Sequence, residues 1–168
     1  MNSRLRVLKA SGPEDFITLE ALAKEIWEQH YSPIIGKAQV AYMLDRFQSR
    51  SAIEKDIQDG YVYYLARFDD VPCGYSAVKK DGTGVFLSKL YVKKGYRQRG
   101  IARGMLDQID AYAKKNKSNR IWLTCNKYNT SSLETYKKLG FAIIDSCLSD
   151  IGGGFVMDDY VLEKKLVY

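Results

Sequence analysis

The sequence predicts an α/β fold, a single domain spanning residues 1–168 with a mixed sheet flanked by helices. Three observations predict it. Hydrophobic spacing changes repeatedly between the helical period of 3.6 and the strand period of 2. The 168 residues suit one domain, and an apolar content of 46% supplies a hydrophobic core. No repeat, low-complexity tract or linker divides the chain, and 27% charged residues with only 3 prolines exclude disordered and collagen-like classes.

Taken in order, residues 4–10 (RLRVLKA) alternate as a short strand does. Ser11-Gly12-Pro13-Glu14 reads as a helix start, with an early proline and an acid in the first turn. Phe16, Leu19, Leu22, Ala23, Ile26 and Trp27 then share one helical face. After a break at His30-Tyr31-Ser32-Pro33, a helix over 37–49 carries Val40, Met43, Leu44 and Phe47, and a short one covers Ser51 to Gln58. Tyr61–Phe68 is a strand, turned by Asp69-Asp70-Val71-Pro72. Gly74–Lys79 and Val85–Val92 form a hairpin around Lys80-Asp81-Gly82-Thr83-Gly84, and the second of these is apolar enough to be central. A helix over 100–115 and a strand at Ile121–Cys125 follow. Ser131–Leu139 is a helix with Ser131 and Glu134 spaced as a capping box and Gly140 as its stop. Strands Phe141–Cys147 and Phe155–Leu166 flank Gly152-Gly153-Gly154. Most of Tyr61, Tyr63, Tyr64 and Tyr75 are expected to pack on the sheet.

The net charge of +6 is local. Residues 89–103 and 114–120 hold ten basic residues and no acid, which leaves the rest of the chain net acidic. A general nucleic-acid binder spreads its charge over a face or tail, so the pattern points to a compact anion instead. Cys73, Cys125 and Cys147 are widely spaced and odd in number, and His30 is the one histidine. No metal site and no disulfide framework is expected, and reduced thiols suit a cytoplasmic protein. No 18-residue apolar run and no signal-like N-terminal segment occurs, so no membrane association is expected.

The informative segment is 85–104, VFLSKLYVKKGYRQRGIARG. A strand enters a basic loop with two glycines, and a helix opens at the second. Helix N-termini present free N–H groups and partial positive charge, which suits phosphate. Gly95 and Gly100 have the P-loop spacing, but Ile101 replaces its lysine, and G-x-G-x-x-G is absent. Neither nucleotide motif holds.

Arg97, Gly100 and Ala102 match [QR]-x-x-G-x-[GA]. Asn129, Ser132, Tyr136, Lys138, Gly140 and Phe141 match N-x-x-[AS]-x-x-x-Y-x-K-x-G-F. Together, in this order, the two segments resemble the GNAT superfamily of N-acetyltransferases over about 85–141. The resemblance implies the GNAT fold, with a mixed, mostly antiparallel sheet splayed in the middle. It implies acetyl-CoA as cosubstrate, without a metal. Leu90, Tyr91 and Val92 would hold the pantetheine arm as an added strand, and one of their N–H groups would polarise the acetyl carbonyl. Arg97, Gln98, Arg99, Gly100, Ile101, Ala102 and Arg103 would cradle the pyrophosphate. Asn129, with Ser132, would contact the pantetheine, and Lys138 the nucleotide end. Tyr136 would be the general acid, a phenol near 10 protonating a thiolate whose parent thiol is near 8.5. The resemblance implies direct transfer, so Cys125 is not assigned as a nucleophile.

Many relatives carry an acid on the strand that here reads Phe86-Leu87-Ser88-Lys89-Leu90, and this chain has none there. The base is therefore unassigned, with Glu28, His30 and Asp158 as candidate ends of a water chain. By the same resemblance the acceptor pocket lies between residues 28–36 and 152–160. Glu28, Tyr31, Asp158 and Asp159 are its candidates for holding a cationic amine by charge and cation–π contact. Both segments more loosely resemble the PaiA-like branch of polyamine acetyltransferases, which favours a small polyamine as partner. A homodimer is one assembly the resemblance leaves open. One alternative is a non-enzymatic regulator binding acyl-CoA or nucleic acid on this fold. Another is transfer to a protein or peptide amine.

Overall fold

The alternation of periods is reproduced in the computed structural model, which describes residues 4–167. The elements are β1 (Leu5–Lys9), α1 (Gly12–His30), α2 (Ser32–Ile35), α3 (Lys37–Phe47), α4 (Arg50–Gln58), β2 (Val62–Phe68), β3 (Val71–Asp81) and β4 (Gly84–Val92). They continue with α5 (Ile101–Lys115), β5 (Arg120–Asn126), α6 (Thr130–Lys138), β6 (Ala142–Gly152) and β7 (Phe155–Lys165). The seven strands form one sheet in the order β1-β2-β3-β4-β5-β7-β6, so β4 is central as its apolar sequence predicts. Every neighbouring pair is antiparallel except β4 with β5.

Strand alternation divides the core between the two faces of the sheet. On one face α1, α3 and α4 place Leu19, Ile26, Trp27, Val40 and Ile53 against Tyr63, Leu65, Tyr75 and Ala77. On the other, α5 and α6 place Leu106, Ile109 and Leu133 against Val85, Leu87, Ile121, Leu123 and Leu162. Tyr63 and Tyr75 are fully buried, as expected of tyrosines packing on the sheet.

Three boundaries differ from the sequence reading, each for a physical reason. The break after His30 contains one further turn, α2, which ends at Gly36 with φ of 87°. β3 begins at Val71 rather than Gly74, because Asp69 and Asp70 both take positive φ (50° and 66°) and turn the chain within two residues. Pro72 is tolerated beside a bulge in the β2–β3 register. β6 runs on to Gly152, where an exposed edge strand shows no hydrophobic alternation to reveal it.

One irregularity positions the site. Lys89 pairs with Ala77 and Leu87 with Val78, so Ser88 is an extra residue in β4. The bulge reverses the parity of the strand. Leu87 faces α5 and α6, whereas Lys89 and Tyr91 face the α1 side. Buried Lys89 donates from Nζ to the Phe47 carbonyl at 2.5 Å and to the Tyr63 hydroxyl at 2.6 Å. That hydroxyl in turn donates to Asp56 at 2.6 Å, and Asp56 lies 3.5 Å from Nζ. Burial pushes the Lys89 amine down to about 8 against the opposing pull of Asp56.

Asp56→Asn keeps an acceptor for Tyr63 but leaves the Lys89 ammonium without its countercharge. The variant is expected to lose about 2 kcal/mol of stability at pH 7 in urea unfolding. The deficit should shrink at pH 9, where folded Lys89 is mostly neutral. An unchanged midpoint at pH 7 would show that the carboxylate does not support the buried cation.

Candidate active site

β4 and β5 pair only at Gly84–Arg120, Val85–Ile121 and Phe86–Trp122, after which they part. β4 stays on β3 up to Val92, and β5 stays on β7 up to Asn126. The part of β4 from Leu87 onward therefore has strand partners on one side only. Gly74 permits the close approach on the β3 side, since a Cβ there would stand 2.6 Å from the Tyr91 carbonyl oxygen. The splay expected between these strands is present.

A cleft of about 460 Å³ opens at the splay. Leu90, Tyr91 and Val92 line it from β4, and Ile26, His30 and Tyr31 from the end of α1. The loop into α5 contributes Tyr96, Arg97, Gln98 and Gly100, and the first turn of α5 contributes Ile101, Ala102 and Arg103. Gly95, Gln98 and Gly100 take positive φ (91°, 62° and 76°), which curls the loop under the helix end. No side chain caps α5, and the N–H groups of Ile101, Ala102 and Arg103 have no acceptor within the helix. Arg97 is tied to the end of β4, its Nε donating to the Val92 carbonyl at 3.1 Å. From α6, Ser132, Tyr136 and Lys138 complete the wall, together with Ser131 and Thr135.

The structure does not bring every expected residue to this wall. Arg99 turns onto the rings of Phe68 and Tyr96, 5.4 and 5.2 Å from their centroids. Asn129 is buried behind the cleft with its amide engaged by protein. Its Oδ1 accepts from the Ser132 N–H at 3.4 Å and lies 3.0 Å from His30 Nε2, and its Nδ2 donates to the Tyr31 hydroxyl at 3.2 Å. Asn129, and not Ser131, is the N-cap of α6, and Ser131 Oγ instead donates to Asn129 at 3.4 Å. Glu28 is exposed, on the side of α1 away from Ile26 and His30. Asp158 pairs with Lys127 at 2.9 Å. The pleat places Asp158 and Asp159 on opposite faces, because Tyr160 and Leu162 belong to the α5–α6 side and Met157 to the α1 side. Only Asp159 faces α1.

Tyr31, Tyr91 and Tyr136 gather at the floor with Cys125. Tyr31 stacks on Trp27 at 4.3 Å, and its ring stands edge-on to that of Tyr91 at 6.2 Å. Burial pushes all three phenols upward, and for Tyr136 the neighbouring Tyr31 and Cys125 add to it. Cys125 is pushed up to about 12, first by burial and then by Asp159, so its thiol stays protonated and is a poor nucleophile. Burial likewise lowers His30, against its bond to Asn129, and keeps the ring neutral at physiological pH. Among the described residues no group of three or more His, Cys, Asp or Glu side chains could hold a metal ion, and no helix is long and apolar enough to cross a membrane. Ser131, read in the sequence only as a cap, and Thr135 and Tyr96, not singled out there, also line the cleft. Ser131 and Thr135 lie one turn apart on α6, each next in sequence to Ser132 or Tyr136, and only that spacing signals them.

The acetyltransferase (GNAT) family model matches residues 19–141. An uncharacterised N-acetyltransferase of Mycobacterium tuberculosis is 28% identical over 151 residues, covering 89% of this chain and 96% of the relative. A spermidine N(1)-acetyltransferase of Thermoplasma acidophilum is 22% identical over 157 residues, covering 90% and 92%. Among solved structures, the PaiA N-acetyltransferase of Thermoplasma acidophilum in complex with coenzyme A superposes with a TM-score of 0.83 at 23% identity, covering 96% of this chain and 99% of that one. An acetyltransferase of Rhodopseudomonas palustris gives 0.81 at 16% identity, covering 98% and 97%. These two superpositions show the shared fold.

Asn129→Ala removes the cap of α6 together with the partner of Tyr31 and His30. The variant is expected to lose about 1–2 kcal/mol in chemical unfolding. Asn129→Asp, which retains a capping oxygen, should recover part of that loss. Equal stability of wild type and the alanine variant would mean these bonds are not made in solution.

Proposed function

The chain belongs to the acetyltransferase (GNAT) family and is an acetyl-CoA-dependent N-acetyltransferase, and we propose that its acceptor is the primary amine of a small polyamine. One observation carries the reading: a single cleft joins an anion-binding helix end to a cluster of protonated phenols. The coenzyme needs both. Its pyrophosphate suits the free N–H groups of Ile101, Ala102 and Arg103, with Arg97, Arg103 and Lys138 adding charge. Its pantetheine arm is an amide-bearing chain, matched to the unpaired edge of β4 at Leu90, Tyr91 and Val92. A β4 N–H directed at the acetyl oxygen stabilises the charge that develops there, by about 3 kcal/mol. Gln98 and Ser132 line the same channel. Asn129 acts behind it, as the residue that fixes α6, His30 and Tyr31.

Tyr136 gives its proton to the departing sulfur. Its position on the wall and the absence of a protein partner for its hydroxyl among the described residues support this role. The polyamine preference draws on the buried carboxylate of Asp159 on the α1 side, and on the similarity to a spermidine acetyltransferase. The test is transfer followed by mass spectrometry, offering polyamines, amino acids, aminoglycosides and short peptides with acetyl-CoA. An acetylated polyamine is the expected product. Acetylation of peptides alone would overturn the acceptor class.

Two variants test the machinery. Tyr136→Phe is expected to lower kcat about 100-fold while leaving the Kd for coenzyme A unchanged by calorimetry. Equal turnover would remove Tyr136 from the chemistry. Arg103→Glu should weaken coenzyme binding by about 10-fold or more, and Arg99→Glu distinctly less, since Arg99 rests on Phe68 and Tyr96. Equal losses would place both guanidinium groups on the phosphates.

A further inference from the structure

The transfer needs a proton acceptor, because an amine of pKa near 10 is about one part in a thousand neutral at pH 7. The strand segment 86–90 carries no acid, and the one charged side chain on it is the buried cation Lys89. One carboxylate in the molecule has a contrasting environment. Asp159 is only 8% exposed, and although Thr124 hydrogen-bonds its side chain, its Oδ1 has no hydrogen-bond partner among the described residues. Most other acids are accounted for by visible partners: Asp56 by Lys89, Asp158 by Lys127, Asp110 by Lys164 and Glu163 by Arg120. Leaving a buried carboxylate oxygen unpaired is costly, so it implies a partner that arrives with the substrate.

The placement fits that partner. Asp159 lies opposite Asn126 at the end of β5, on the side of the sheet that faces α1. Tyr31 from the α1–α2 junction and Cys125 from β5 interact with it, and both also interact with Tyr136. Beside it on β5, Thr124 is exposed, which leaves that face open to an incoming ligand. We propose that Asp159 is the general base, receiving the proton of the acceptor ammonium across the Tyr31–Cys125 floor from Tyr136. It has this role only where the acceptor is a cationic amine, as proposed above.

The step balances within these groups. The ammonium gives one proton to the Asp159 carboxylate, and the freed nitrogen lone pair forms the C–N bond. The C–S bond breaks, and the sulfur takes the proton of Tyr136. The nitrogen, now carrying one proton too many, gives its second proton by way of solvent to the Tyr136 phenolate, and Asp159 releases the first to bulk water, leaving an amide, a thiol and one proton. The surroundings tune the carboxyl for this work. Burial first and then Asp158 raise it, against the pull of Thr124 and Lys127, to about 6. The remaining groups facing it are Tyr31, Cys125 and, opposite on β6, Cys147. At pH 7 it is ionised, yet a stronger base than an ordinary carboxylate.

The experiment is the pH profile of kcat/KM for spermidine with saturating acetyl-CoA. A base acting on the ammonium gives a plateau beginning near pH 6. If the enzyme instead selects free amine, the profile climbs with unit slope toward pH 10. In Asp159→Asn the plateau should become that climb, with kcat at pH 7 reduced about 100-fold or more and Kd for coenzyme A unchanged. A unit-slope climb in the wild type would overturn the assignment without any variant. So would an Asp159→Asn enzyme with raised KM and unchanged kcat, which describes a counterion only. Failure of the wild type to acetylate any amine in the pool would overturn the acceptor reading itself, and with it the base.

Discussion

The site depends on the parting of β4 from β5 after three paired residues. A parallel ladder that stops in mid-sheet leaves backbone donors and acceptors without strand partners, and these must be met by water or by another chain. The cleft opens at that unpaired edge. Three local features hold it open. The extra residue at Ser88 adds twist to β4 and re-aims the residues that follow. Lys89 then reaches away from the gap to Phe47, Tyr63 and Asp56. Gly74 lets β3 hold the end of β4 at a distance that a side chain would forbid. The strand is secured on one side so that the other is free.

How legible this was depends on the kind of signal. The α5 loop could be read because its chemistry is local: Arg97, Gly100 and Ala102 at fixed offsets after an apolar strand, all of which line the cleft. The helices and most strands could be read from period alone. What could not be read was whatever the sheet decides. Asp158 and Asp159 are adjacent in sequence and looked equivalent, yet the pleat sends one to Lys127 and the other toward Tyr31. Ser88 as a bulge and Lys89 as a buried cation require the β3 register. Asn129 was visible as a motif residue, but its work as a cap for α6 and a brace for His30 and Tyr31 depends on contacts across about a hundred residues of sequence. Glu28 carried the right charge on the wrong side of α1, a difference of helical phase that one short segment does not reveal.

Charge is separated across the splay. Arg97, Arg103, Lys138 and an uncapped helix end surround one mouth of the cleft, while the α1 side of β7 holds a buried carboxylate. The anionic coenzyme and the proposed cationic acceptor would thereby be drawn to opposite sides of one gap. Each would also avoid the other's site, since a polyamine, the proposed acceptor, would be repelled by the basic loop and a phosphate by Asp159. The net charge of +6 records only the larger of the two fields.

The tyrosine cluster joins these fields, and its burial poses an apparent difficulty. Pushing the Tyr136 phenol upward makes it a weaker acid in isolation. The quantity that governs proton transfer, however, is the difference between the phenol and the departing sulfur. In water that difference is about 1.5 units, between a thiol near 8.5 and a phenol near 10. The same low dielectric that penalises a phenolate penalises a thiolate, so both rise together and their difference changes less than either value. Burial in addition keeps Tyr31, Tyr91 and Tyr136 protonated across the range in which Asp159 is ionised. The proposed acid and base thus hold the forms they would need at the same pH, because burial pushes the Asp159 carboxyl only to about 6 and the phenols well beyond neutrality.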